Sequence, residues 1–169
     1  KTVTADPVFD EYCKQTYIDN VLRGGYPVKL PGGHIFYVYS RKHGDVERDY
    51  NFFSMLPEYY SQGNGNFRDV NQNRRSDIYF ANFVGDYNVK LFYDLLQLDG
   101  YNPLLVKQIT YTLQEDKKDE VFAYVTDNRD VLEKLFAKPF TPGNLYAQIY
   151  NKKVGLSVDE DQFFAIVME

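Results

Sequence analysis

Turn-forming residues cut this chain into short pieces, and that bounds what it can build. Gly24-Gly25, Pro31-Gly32-Gly33, Gly63-Asn64-Gly65-Asn66, Gly100 with Pro103, and Pro139 each interrupt any longer helix or strand. The apolar spacing between them is mostly helical. Over 6–23, Phe9, Cys13, Tyr17 and Val21 form an i, i+4 stripe that Tyr12 widens, which predicts a helix ending at Gly24-Gly25. Residues 26–40 read as a hairpin whose second arm, Ile35-Phe36-Tyr37-Val38-Tyr39, is rich in β-formers. A polar loop and helices are expected over 41–99. Within that stretch Arg68–Phe80 is helical but polar. In Asp86–Asp99, Tyr87, Leu91, Leu95 and Leu98 line one face, and Gly100 caps the end.

Residues 104–126 read as mixed. Gln108–Leu113 and Glu120–Thr126 alternate like short strands, joined by the charged run 114–119. Residues 127–169 read as three short helices. Asp127 caps the first, whose apolar face is Val131, Leu132, Leu135 and Phe136. Thr141-Pro142 opens the second, and a Ser157/Glu160 capping box opens the third. The expected class is mainly α with a minor β component, one domain or a fragment of a larger catalytic domain over 1–169. Both ends read as cut: there is no initiator Met, and the apolar run Gln162–Glu169 is expected to pack on something that follows.

Charge excludes some functions. The net charge is −5 with no basic stripe, which argues against nucleic acid and against an anionic membrane surface. The longest apolar stretches, such as Leu104-Leu105-Val106, are far too short to span a bilayer. Cys13 stands alone, so no disulfide framework or cysteine metal site is expected, and a cytoplasmic location is the default. Hydrolase logic finds no Gly-x-Ser-x-Gly, and His34 and His43 are the only histidines. No metal or cofactor motif is present.

Two polar runs remain. In Arg41–Phe53, the acids Asp45, Glu47 and Asp49 alternate and would share one face of an extended segment, where converging carboxylates can raise one another's pKa and serve as a general acid. A solvated, self-neutralising loop is the plainer reading of the same residues. The second run is Gly63–Asp77. If it is helical from Arg68, then Asp69, Gln72, Asn73 and Ser76 share one face and Arg68, Asn71 and Arg75 the adjacent one. So polar a helix has reason to form if it lines a wet cavity, and Asp, Arg and Asn there suit sugar hydroxyls. An exposed helix start is the alternative. Most of the 16 Tyr and 13 Phe are expected in the core, and Tyr59 and Tyr60, just before the glycine loop, are the two rings expected in the sugar-binding site.

Asn66-Phe67-Arg68-Asp69-Val70-Asn71-Gln72 resembles the Phe/Tyr-Arg-Asp-x-x-Gln signature of cellobiose and chitobiose phosphorylases. The match covers about ten residues around Asp69, with a looser likeness in element order over Asp6–Val106. The resemblance implies an (α/α)6-barrel parent enzyme in which inorganic phosphate, as co-substrate, attacks the anomeric carbon with inversion while a carboxylic acid protonates the leaving oxygen. It assigns donor-sugar binding to Arg68, Asp69 and Gln72. Departures are visible. The family's acid lies in a Trp-containing segment and this chain has no Trp; Ser61-Gln62-Gly63 stands where relatives often carry a second arginine, and Asn73 where an Asp is common. The acid therefore lies elsewhere in the parent or is one of Asp45, Glu47 and Asp49.

The function expected is phosphorolysis of a β-linked disaccharide or oligosaccharide, this chain supplying donor-sugar contacts and not catalysing alone. Arg74 and Arg75 are candidate phosphate ligands by charge alone. The partners expected are the saccharide and the remainder of the parent enzyme, with a homodimer admitted. The rival reading is a non-catalytic helical accessory or binding module.

Overall fold

Asp6 opens the first helix, α1 (Pro7–Gly24), by accepting hydrogen bonds from the backbone N–H groups of Val8 and Phe9, with Pro7 in the first turn where its missing N–H costs nothing. The structure is a computed structural model that describes residues 2–38, 59–60, 62 and 65–169, the side chains of 17–24, 66, 69 and 73 excepted. Among these residues the chain is mainly helical with small two-stranded sheets and forms two compact units. One holds 2–27, 37–38, 62 and 65–108; the other holds 28–36, 59–60 and 109–169. Most of the predicted run Arg41–Gln62, Asp45, Glu47 and Asp49 included, lies outside the described residues. Phe9 and Tyr12 of the predicted α1 stripe remain 49 % and 65 % exposed.

The hairpin forms as predicted. Strands β1 (Tyr26–Lys29) and β2 (Ile35–Val38) pair across a 3-10 turn, Pro31–Gly33, and Leu30 N–H donates to the His34 carbonyl at 2.8 Å. Both turn glycines have positive φ, +82° and +89°, which is why this turn needs glycine.

In the first unit, Gly65 and Asn66, expected in a loop, form strand β3 (Gly65–Asn66) antiparallel to β4 (Leu105–Val106). A second tie, Phe67 N–H to the Leu104 carbonyl at 3.2 Å, holds the start of α2 (Phe67–Arg74) against the returning chain. The predicted helix Arg68–Phe80 is broken at Arg75-Ser76 into α2 and α3 (Asp77–Phe80). The predicted Asp86–Asp99 helix is shorter than its pattern, running as α4 (Tyr87–Asp94). Beyond Leu95 the chain turns instead, closed by Gln97 N–H to the Tyr101 carbonyl and by Asp99 accepting from Tyr101 N–H, so Leu98 is fully exposed rather than on a buried face. Phe67, Val70 and Phe92 form this unit's buried cluster, with the Phe67 and Phe92 rings edge-to-face at 5.3 Å and Leu91, Leu95 and Val106 around them.

The second unit corrects the predicted strands. Gln108–Leu113 contributes only a single bridge, Tyr111 to Phe140. Glu120–Thr126 begins as helix α5 (Lys118–Phe122) and only then becomes strand β5 (Val125–Asp127). Val121 and Phe122 are both buried. A strand would send such neighbours to opposite faces, whereas a helical turn lets both pack inward. Helix α6 (Arg129–Phe136) starts from Asn128, not Asp127. Asn128 takes φ +53°, and its amide donates to the carbonyls of Lys152 and Lys153. Thr141 caps α7 (Pro142–Lys152) as predicted. Asp159, not Ser157, caps α8 (Glu160–Met168), accepting from Gln162 N–H at 2.8 Å, while Ser157 bonds the Tyr124 carbonyl.

Strand β6 (Gly155–Leu156) pairs antiparallel with β5, and a Cβ on Gly155 would come within 2.6 Å of Thr126 Oγ1. The apolar run at 162–169 packs within its own unit: Phe163 and Phe164 are fully buried and Val167 and Met168 nearly so, with α8 against the Pro31–Gly33 turn.

Candidate functional site

Helix α2 divides its residues by face. Phe67, Val70 and Arg74 turn inward and are buried, at 6 %, 5 % and 4 % exposure. Arg68, Asn71, Gln72 and Arg75 are exposed and line an open hollow of about 500 Å³. The edges of Phe67 and Leu96 give the hollow apolar surface, and Asn102 adds a further amide. The helical spacing explains the grouping, since 68, 71, 72 and 75 recur at i, i+3, i+4 and i+7. Both polar faces read from the sequence thus contribute: Arg68, Asn71 and Arg75 from one, Gln72 from the other. The side chain of Asp69 lies outside the description.

Arg74 does not line this hollow. Its Nε lies 2.9 Å from Asp77 Oδ2 in an ion pair that is not a well-aligned hydrogen bond, and its guanidinium carbon sits 4.3 Å above the Tyr37 ring. A Cβ at Gly25, where φ is +85°, would collide with the same guanidinium. Asp77 also accepts from the Tyr37 hydroxyl at 2.7 Å, and that oxygen accepts from the Asn88 amide at 2.8 Å. The carbonyl of Tyr37 is bonded by Gln62, which is 2 % exposed. A cation already held by a carboxylate and a ring face is committed to the fold. Of the two arginines nominated for phosphate, Arg75 is the one on the hollow.

Tyr59 and Tyr60 fall in the second unit. Tyr59 approaches Tyr146 and Tyr150 at 6.3 and 6.2 Å between ring centres, Tyr60 approaches Tyr146 at 5.6 Å, and Tyr146 stacks on Tyr150 at 6.5 Å. Tyr146 and Tyr150 line another open hollow, of about 820 Å³, with Asp159, Glu160 and Asp161. Tyr146 Oη donates to Asp161 at 2.9 Å. Ring faces beside carboxylates can cover an apolar surface and accept hydrogen bonds from a polyol.

Burial raises the pKa of Tyr37, reinforced by its bond to Asp77, and burial with the bond to Asp161 raises that of Tyr146. Both stay protonated in the folded chain above pH about 10, where the unfolded chain's tyrosines ionise. Stability is therefore full below about pH 10 and falls as pH rises from there toward the folded-state values, because only the unfolded state releases these protons. Tyrosinate absorbance should accordingly rise in two stages, exposed rings first and Tyr37 and Tyr146 only with unfolding. A single step near pH 10 with the fold intact would contradict the burial of both hydroxyls.

His34 is exposed beside the hairpin turn, and His43 lies outside the described residues. Cys13 is partly exposed and unpaired by any disulfide. Among the described residues no cluster of His, Cys, Asp and Glu is set to hold a metal, and no helix is long and apolar enough to cross a membrane. Sequence spacing missed Asn102 and Leu96 in the lining: Leu96 follows α4, whose Phe92 packs on Phe67 of α2, and Asn102 lies just before β4, which pairs with β3 some 40 residues away along the chain. It also missed Tyr146, Tyr150 and the acids at 159–161, although the i, i+4 tyrosine pair was a usable signal. No protein-family model matches the chain, and neither a curated protein nor a solved structure is significantly similar to it.

Proposed function

We propose that this chain binds a carbohydrate on α2, as the donor-sugar portion of a disaccharide-phosphorylase-type enzyme. One observation carries the reading: Arg68 and Gln72, the residues that the signature resemblance nominates for the sugar, line one hollow with Asn71, Arg75 and Asn102. Guanidinium and amide groups suit hydroxyl recognition, and the edges of Phe67 and Leu96 suit the apolar flank of a pyranose. The ligand class is a β-linked disaccharide or oligosaccharide, and phosphorolysis with inversion is the reaction of the whole enzyme. An (α/α)6 barrel and a cytoplasmic location belong to the same proposal, as do the remainder of the enzyme and a homodimer as protein partners.

A second reading has an observation of its own. No carboxylic acid is among the described residues lining the α2 hollow, so none of those residues can protonate a leaving oxygen. That favours a non-catalytic binding module over a self-sufficient enzyme. In either case a sugar should bind.

Isothermal titration with a panel of β-linked disaccharides, their monosaccharides and inorganic phosphate tests this. We expect saccharide binding that weakens about tenfold in Arg68→Ala, the usual cost of losing one charge-assisted hydrogen bond. Absence of heat from every saccharide would remove the carbohydrate reading. Turnover of a disaccharide with phosphate by this chain alone would instead remove the binding-module reading.

A further inference from the structure

We infer that the groove between α6 and α7, wholly within the second unit, binds a small molecule carrying two or more anionic groups, a diphosphate or a tricarboxylate. The inference does not rest on the carbohydrate reading. Lys134 and Lys138 from the α6 side and Asn144, Gln148 and Lys152 from α7 line a hollow of about 260 Å³ there, over Val131 and Leu135. Local spacing builds each wall. Lys134 and Lys138 are i, i+4, and Asn144, Gln148 and Lys152 repeat at the same interval, so each set shares one aspect. Tyr146 and Tyr150 fall half a turn round, on the opposite face of α7.

The groove is short. Residues 137–141 join the two helices at one end, and at the other Asn128, just ahead of α6, donates to the carbonyls of Lys152 and Lys153 at the end of α7. The helices therefore run side by side in opposite directions, tied at both ends. Val131 to Lys138 spans about 10 Å at the helical rise. That length takes two or three phosphoryl or carboxyl groups, but only about three residues of an extended peptide.

Its charge is open to a ligand. Lys138 and Lys152 are exposed and form no ion pair with a described residue. Lys134 holds Asp130 at 3.1 Å, but that pair is 80 % and 65 % exposed, so water screens it and an incoming anion can take the carboxylate's place. The half-buried side-chain amides of Asn144 and Gln148 bond no described residue and can add N–H donors to an anion's shell. The helix dipoles account for Lys134 and Lys152, each in a last turn, but not for Lys138 or for two amides on the same lining. Lysine acts as a compact point charge with rotatable donors, so lysines on both walls match a ligand with more than one anionic centre.

The test is calorimetric titration of the full chain with pyrophosphate, citrate, inorganic phosphate and an oligoglutamate peptide at low and high salt. It is repeated on Lys138→Met, Lys152→Met and Lys90→Met. Lys90 sits on α4 in an exposed pair with Asp86 at 2.8 Å, so its variant makes the same change in net charge away from the groove. Pyrophosphate or citrate should bind about tenfold tighter than inorganic phosphate and weaken with salt. Each groove variant should weaken that binding about threefold or more, and Lys90→Met should leave it unchanged. Pyrophosphate ahead of citrate assigns the anionic groups to phosphate, and the reverse order to carboxylate; both orders support the inference. Equal loss in Lys90→Met overturns it, since the ligand would then be reading net charge alone. Inorganic phosphate binding as tightly as both larger anions, the peptide binding more tightly than either, or no heat from any of them also overturns it. Circular dichroism of the variants checks that they fold.

Discussion

Phe164→Ala is expected to cost the second unit about 4 kcal/mol, within the range for emptying a fully buried aromatic position. The ring has no exposed surface and stacks on Tyr146 at 4.8 Å between centres, the planes 19° apart. Its neighbour Phe163 is also fully buried, so the surroundings are filled from both sides of α8 and have little freedom to collapse into the gap. Loss of the ring also removes a wall from Tyr146, whose hydroxyl bonds Asp161 at 2.9 Å. The Tyr146 hydroxyl should then ionise nearer the ordinary tyrosine range. Phe164→Leu, which keeps most of the volume, should cost less than half as much. Urea unfolding followed by hydrogen exchange of the α7 and α8 amides measures both. A loss below about 1 kcal/mol for the alanine variant would mean that the ring is not part of a packed core.

In the first unit the largest effect is expected at Arg74. Arg74→Met should destabilise that unit by about 3 kcal/mol, because removing one member of a buried ion pair strands the other. Arg74 and Asp77 are 4 % and 16 % exposed, so Asp77 would lose its counter-charge with little water to replace it. Tyr37 would lose the cation above its ring and keep its hydroxyl bond to Asp77. The double variant Arg74→Met/Asp77→Leu should recover about half of the loss, since an apolar pair leaves no stranded charge but still deprives the Tyr37 hydroxyl of its acceptor. Hydrogen exchange in α2 and α4 is the readout. If the single variant is neutral, the guanidinium is not buried as described. Sugar binding to Arg74→Met at a temperature where it stays folded should match the parent, which separates Arg74 from Arg75.

How much was legible in advance differs by element. The β1–β2 hairpin and the Thr141 cap are local: Pro-Gly-Gly and Thr-Pro set their own backbone, and no distant residue is needed. The apolar face of α6 was also readable, Leu132, Leu135 and Phe136 being buried where a 3.6-residue period puts them. The elements around 108–126 were not. A short run such as Glu120-Val121-Phe122 fits a strand or a helical turn equally well, and the choice follows from which side the rest of the unit packs.

The candidate site shows the same division. That Arg68, Asn71, Gln72 and Arg75 share an aspect follows from their spacing alone, whatever surrounds the helix. Tertiary structure decided the rest: Arg74 turns inward because Asp77 and Tyr37 wait there, Asn102 reaches the hollow because β4 pairs with β3, and Tyr59 and Tyr60 join Tyr146 and Tyr150. Spacing along the chain determines which side chains can point together, because backbone geometry repeats over a few residues. Which of those aspects becomes core and which stays open to a ligand depends on partners tens of residues away, and that is set only when the chain closes on itself.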